Sequence, residues 1–169
     1  MTDRQQLIQA LNLEAHVEGG YFRQTYKAEN GISIVTDNGE RTTMTSIFYL
    51  LTSDAPIGHF HLNKSDIVHY FHTSDPIDYF LIDQNGKLSH EVMGPDVVNG
   101  HQLQLAVKGG TWKASRLNEN GTYGYGLIGE AVAPGFEYQD MTLAQREIMC
   151  GHFPQHTDLI RKLTHPHVY

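Results

Sequence analysis

Gly58-His59-Phe60-His61-Leu62-Asn63-Lys64-Ser65-Asp66-Ile67-Val68-His69-Tyr70-Phe71-His72 is the stretch whose reading decides the fold. Side chains of an extended chain alternate faces, so His59 and His61 are expected on one face and Phe60 on the other. Two imidazoles one pleat apart can bring a nitrogen each to a common point, which suits one transition-metal ion. The chain is then expected to turn through residues 62–66 and return as a strand from Ile67 to His72. Four of the eleven histidines fall in this stretch. A histidine in a half-buried strand is ordinarily a hydrogen-bonded structural residue. A His-x-His pair opening a hairpin is less ordinary and marks a metal or ligand site.

Outward from this stretch the signal stays β. Asn-Gly occurs at 30–31, 38–39, 85–86, 99–100 and 120–121. Both residues tolerate the positive φ of two-residue hairpin turns, so several of these sites are expected to be hairpins. Between them lie the apolar runs 45–51, 67–72, 77–82, 88–93, 103–107, 112–117 and 123–133. Many short strands at this spacing predict an antiparallel sandwich or barrel. The two ends change period. Thr2 with Gln5 matches a capping box ahead of Leu7, Ile8 and Leu11, which predicts a short helix from about Asp3 to Leu11. Thr142 with Gln145 matches another, with Gly151 as its stop. Pro154 can open a last helix with Leu159, Ile160 and Leu163 inward.

The chain has 169 residues, 40% hydrophobic and 18% charged, as expected of one globular domain spanning 1–169. A formal net charge of −7 and the absence of any Lys/Arg run argue against nucleic acid as a partner. The single cysteine, Cys150, excludes an internal disulfide framework and reads as a buried helix residue. No apolar run reaches the ~20 residues of a membrane span. Residues 1–6 lack the basic and apolar regions of a signal peptide, so a cytoplasmic location is expected.

Several segments resemble one family. They are Glu18-Gly19-Gly20-Tyr21-Phe22-Arg23-Gln24-Thr25-Tyr26, Thr45 to Leu51, His59-Phe60-His61 with Ser65-Asp66, Lys108-Gly109-Gly110-Thr111-Trp112, and Val132-Ala133-Pro134-Gly135-Phe136-Glu137-Tyr138. In this order the chain resembles the DUF985 (cupin-5) family of the RmlC-like cupins. The resemblance implies a double-stranded β-helix, or jelly roll, with a pocket in the barrel mouth, and a homodimer. It implies no established reaction. It also places Trp112 where the general cupin pattern has its third metal histidine, and an indole offers no lone pair to a metal. The glutamate of the first cupin motif falls on Ile67, next to Asp66. Two registers stay open: Ile67 and His69 inward, or Asp66, Val68, Tyr70 and His72 inward.

The expected ligand-binding residues are therefore His59, His61, Trp112, Gln104, Tyr21, Arg23 and Tyr70, in a pocket for a small molecule. A divalent transition metal is the cofactor such a pocket could take, with His59, His61, Asp66 and His69 as its candidate ligands. Glu130, a carboxylate in mid-strand among apolar neighbours, is expected either in the pocket or at an interface. Two functions remain: a small-molecule-binding cupin, or, as the resemblance to RmlC-like cupins implies, an epimerase, isomerase or lyase acting on a sugar-like or carbonyl substrate.

Overall fold

The structure is a computed structural model that describes residues 4–166. Its strands are β1 (Glu14–Ala15), β2 (Tyr21–Lys27), β3 (Ser33–Thr36), β4 (Gly39–Thr42), β5 (Thr45–Thr52), β6 (Ile57–Asn63) and β7 (Asp66–Ser74). They continue with β8 (Ile77–Ile82), β9 (Leu88–Met93), β10 (Gln104–Val107), β11 (Trp112–Leu117), β12 (Tyr125–Ala133) and β13 (Met141–Leu143). Helices α1 (Arg4–Ala10), α2 (Arg146–His152) and α3 (Thr157–Leu163) lie at the two ends of the chain. One sheet has the order β1-β2-β5-β12-β7-β10 and the other β13-β6-β11-β8-β9, with β3-β4 as a separate hairpin. The named pairings are antiparallel. This is the antiparallel two-sheet architecture that the strand spacing predicts, in the jelly-roll form that the family resemblance implies.

Alternation along the strands sorts the apolar residues into three layers. Between the sheets lie Tyr49, Leu51, Ile77, Tyr79, Met93, Leu105, Val107, Leu117 and Ile128. The outer face of the second sheet gives Phe60, Phe80, Ile82 and Ala114 to α2 and α3, which answer with Met149, Cys150, Ile160 and Leu163. The outer face of the first sheet gives Leu50 and Leu127 to Leu7, Ile8 and Leu11 of the N-terminal helix segment. No helix among the described residues is long and apolar enough to cross a membrane.

Some local expectations need correction. Of the five Asn-Gly sites, 38–39 turns β3 into β4 and 85–86 turns β8 into β9. The other three connect strands that do not pair with each other. The stretch from His59 to His72 is likewise a corner and not a hairpin, because β6 and β7 belong to opposite sheets. Thr142 does not cap α2: it pairs with Leu62 on the edge of the second sheet, and the helix begins at Arg146 without a side-chain cap. Gly151 lies inside α2 and does not stop it. Thr2 of the other capping box lies outside the described residues.

One irregularity positions the functional side chains. Lys113 pairs with His61 and Ser115 with Gly58, so two steps along β11 match three along β6. The extra residue makes a bulge at His59–Phe60. A bulge resets the alternation, and His59 and His61 no longer share a face. A Cβ on Gly58 would stand 2.3 Å from Ser115 Oγ and 2.6 Å from the Tyr49 hydroxyl. Only glycine lets β6 approach the interior this closely.

Candidate functional site

The interior between the sheets is apolar toward one end and ionisable toward the other. His61 from β6, His69 from β7, Lys113 from β11 and Glu130 from β12 face one another there, with Glu18 entering from the loop before β2. Lys113 is buried in the same strand as Trp112 and points inward, as do Ser115 and Leu117 by alternation. Its Nζ donates to His69 Nε2 at 2.7 Å and lies 3.8 Å from Glu130 Oε1. His69 Nδ1–H donates to the Leu105 carbonyl at 3.1 Å, which leaves Nε2 as the lone pair Lys113 uses. Burial pushes Glu130 upward, but the Lys113 ammonium and His69 outweigh it and hold its carboxyl well below the usual range. Glu130 is thus the anion that balances Lys113.

Glu18 behaves in the opposite way. Burial pushes its carboxyl from an ordinary 4.5 up to about 8, against the pull of Lys113 and with the repulsion of Glu130. Its Oε2 lies 3.3 Å from His61 Nε2. His61 Nδ1–H donates to the His59 carbonyl at 2.7 Å, so Nε2 is an acceptor. Burial and Lys113 take the His61 pKa down to about 3. A neutral carboxylic acid facing a neutral imidazole is the consistent assignment, with the acid proton directed at the Nε2 lone pair. Glu18 and Glu130 keep 12% and 11% of their side-chain surface open, more than His61, His69 or Lys113. The two carboxyls are therefore the most solvent-open of these five groups.

The loop carrying Glu18 is fixed from three sides. The Glu18 carbonyl accepts from His59 N–H at 2.6 Å and from His59 Nδ1 at 2.9 Å. The Tyr49 hydroxyl donates to the Gly19 carbonyl at 2.8 Å. Gly19 has φ +99°, and a Cβ there would stand 2.1 Å from the Ile57 carbonyl oxygen. No other residue fits this position without moving β6. His16, whose pKa burial lowers to about 4, accepts the Glu18 N–H at Nδ1 and packs edge-on to Phe22.

The expected site residues separate accordingly. His61 and His69 are inside, so the register with Ile67 and His69 inward is the one adopted. His59 stands on the bulge with its ring 5.1 Å from that of His165, and acts on the interior only through the Glu18 backbone. Trp112 points outward to the layer beneath α2 and α3. Asp66 is exposed and accepts from Gly109 N–H. Tyr70 is 37% exposed, and Gln104, its register partner on β10, is exposed too. Tyr21 packs on the layer beneath α1, and Arg23 pairs with Phe48 on that same outer face. The sequence reading misses Lys113, Glu18, His16 and Tyr79 as site residues. The signal available for them is a lysine in mid-strand sharing the face of Leu117.

A divalent metal does not fit these residues. The Nε2 lone pair of His69 is taken by the Lys113 ammonium, whose charge would repel a second cation. Among the described residues no group of three His, Cys, Asp or Glu is placed to hold an ion.

Residues 5–144 match the model of the cupin superfamily family DUF985. The chain belongs to the DUF985 family of cupins. It is 39% identical over 153 residues to the uncharacterized protein YML079W of Saccharomyces cerevisiae, covering 85% of this chain and 76% of the yeast protein. The DUF985 barrel is also similar to two solved structures. A hypothetical protein from Leishmania major is 26% identical with a TM-score of 0.90, covering 97% and 99% of the two chains. Protein SO0799 from Shewanella oneidensis is 31% identical with a TM-score of 0.88, covering 99% and 100%. A structure of Bacillus subtilis oxalate decarboxylase, 14% identical with a TM-score of 0.54, covers 88% of this chain and 36% of that one, and shows the shared fold alone.

Proposed function

We propose that this DUF985 cupin binds a small, uncharged polar molecule inside the barrel, against Glu18, His61, Lys113 and Glu130. The observation that carries this reading is a buried ionisable cluster in an interior that is otherwise apolar. Withdrawing two charges from water costs several kcal/mol per ion, and apolar residues of equal volume would serve the fold as well or better. Strongly perturbed groups of this kind gather at functional sites. Lys113 and Glu130 cancel in charge, which favours a neutral guest. The Tyr79 hydroxyl and Asn63 Oδ1 are buried without a hydrogen-bond partner among the described residues. Each costs about 1–3 kcal/mol while unpaired. Tyr79 borders the cluster, with its ring 5.0 Å from that of His69.

The test is calorimetry against a panel of small hydroxylated and carbonyl metabolites. For the best hit, His61→Ala is expected to weaken binding at least tenfold, since it removes a buried polar partner. His59→Ala is expected to weaken it less, by freeing the loop that carries Glu18. Tyr70→Phe, on the outer face, is expected to bind as the parent does. Unchanged affinity in His61→Ala would remove the reading.

The second reading is an epimerase, isomerase or lyase of a sugar-like or carbonyl substrate. The Glu18–His61 contact favours it, because a neutral acid held against a neutral base is the resting form of a proton-transfer pair.

We also propose a homodimer. Beyond Phe22, β2 has no strand on its outer side among the described residues, and Tyr26, Ile32 and Val35 on β2 and the segment after it are 50%, 62% and 79% exposed. A second copy seated here covers this edge. Light scattering at micromolar concentration is expected to give twice the mass of 19.1 kDa, and a monomer would count against it.

A further inference from the structure

We propose that Glu18 is a catalytic residue, a general acid–base that moves a proton at a carbon beside the carbonyl group of a small neutral hydroxy-aldehyde or hydroxy-ketone, with the carbonyl oxygen held by Lys113. The proposal rests on the interior binding site proposed above and adds to it a reaction and a substrate class. Three features of the geometry lead to it. Glu18 keeps 12% of its side-chain surface exposed and stands on a loop pinned at Glu18 O and Gly19 O, so its position is fixed before a guest arrives. Lys113 is a buried cation with one N–H directed at His69 and Glu130 no nearer than 3.8 Å, which leaves donors for a guest oxygen. The Tyr79 hydroxyl is a donor without a partner among the described residues, its residue 1% exposed and its ring 5.0 Å from that of His69.

The step balances without a co-reactant. The ionised Glu18 carboxylate takes the proton from the carbon next to the carbonyl. The C–H electron pair becomes the second bond of a carbon–carbon double bond, and the carbonyl π pair moves to oxygen. The oxyanion so formed lies against the Lys113 ammonium, in a dry site where that interaction is much stronger than in water. Glu18 now holds the proton as the neutral acid, the form its burial favours. Returning it to the same carbon restores or inverts the substrate, and delivering it to the former carbonyl carbon isomerises it once the oxygen proton has shifted.

The ionisable groups facing Glu18 come from several elements. His16 lies on its own loop, His61 on β6, Lys113 on β11 and Glu130 on β12. Tyr49 on β5, Tyr79 on β8 and Tyr138 also feel its charge. Burial and Lys113 keep both histidines neutral near pH 7, and burial keeps the phenols of Tyr49 and Tyr79 neutral. Glu18 is thus the member whose charge changes near pH 8.

The experiment uses the full chain in D2O with dihydroxyacetone, glyceraldehyde and hydroxyacetone as probes, followed by proton NMR. Exchange of the carbon-bound hydrogen next to the carbonyl is expected above the buffer rate. It should rise with pH and level off above about 8. Glu18→Gln is expected to slow exchange at least a hundredfold while saturation-transfer signals from the bound probe persist. Tyr70→Phe, on the outer face, is expected to exchange as the parent does, with an unchanged pH profile. Bound probe without exchange, or equal exchange in Glu18→Gln, would overturn the proposal and leave the binding reading intact. No binding by any probe would overturn both.

Discussion

Lys113→Met is expected to lower the unfolding free energy by about 3–5 kcal/mol, the cost of leaving a buried charge without its partner. Glu130 would then be an enclosed carboxylate that has lost its cation. His69, 3.4 Å away, is the nearest group that could take up the charge. Its own burial opposes protonation, so the compensation is partial. For a chain of this length each kcal/mol moves Tm by about 2–4 °C, so a drop of about 10 °C is expected. The double variant Lys113→Met with Glu130→Gln should recover most of the loss, because it removes the charge along with its partner. Urea unfolding of the parent, the single and the double variant decides the matter. A single variant within about 1 kcal/mol of the parent, or a double variant no better than the single, would mean that Lys113 and Glu130 are not coupled in the way their positions suggest.

How far the sequence reaches is visible in the same strands. Trp112–Leu117 is read to the residue from its apolar run, as are Ile77–Ile82 and Leu88–Met93. Period-two alternation with turn residues at both ends is a local signal, and local signals fix where strands lie. Which face of a strand turns inward is a tertiary matter. In β11 the large indole invites assignment to the pocket, yet the layer beneath α2 and α3 takes it, and the lysine beside it goes inside. In β6 the His-x-His spacing suggests a shared face. The bulge that separates the two rings arises from pairing with β11, a strand far along the chain, and not with β7 just past the turn. Glu18 falls within a family motif but carries no periodic signal at all. Its role depends on Gly19 at φ +99° and on His59 holding the Glu18 carbonyl, and both are contacts with β6, a strand distant in sequence.

The last expectation is a stability maximum at about pH 6.5, with Glu18 responsible for the alkaline side. A carboxyl raised from 4.5 to about 8 on folding binds a proton more tightly in the native state. Its contribution is therefore complete below pH 4.5 and is lost as pH rises to about 8. One proton corresponds to about 1.4 kcal/mol per pH unit, so the loss over this window approaches about 5 kcal/mol. The histidines act in the other direction. His61 falls to about 3 and His16 to about 4 in the native state, so each binds its proton more tightly when unfolded. Their contribution is present above pH 6.5 and is lost as pH falls through their native values. His69 and His59, also lowered by burial, add to this acid-side loss. Glu130, held low by Lys113 and His69, adds to it below 4.5. Between pH 4.5 and 6.5 the histidines outnumber Glu18, and stability rises with pH. Above 6.5 the unfolded histidines finish losing their protons, Glu18 outweighs what remains of their contribution, and stability falls toward about pH 8. Glu18→Gln removes that limb: its Tm relative to the parent should increase by about 5 °C or more between about pH 6 and about pH 8.5. The readout is the slope against pH, which a constant loss from the altered hydrogen bond does not change. Parallel Tm curves for parent and variant across this range would show that Glu18 is ionised in the folded protein at neutral pH, and the neutral acid facing His61 would have to be given up.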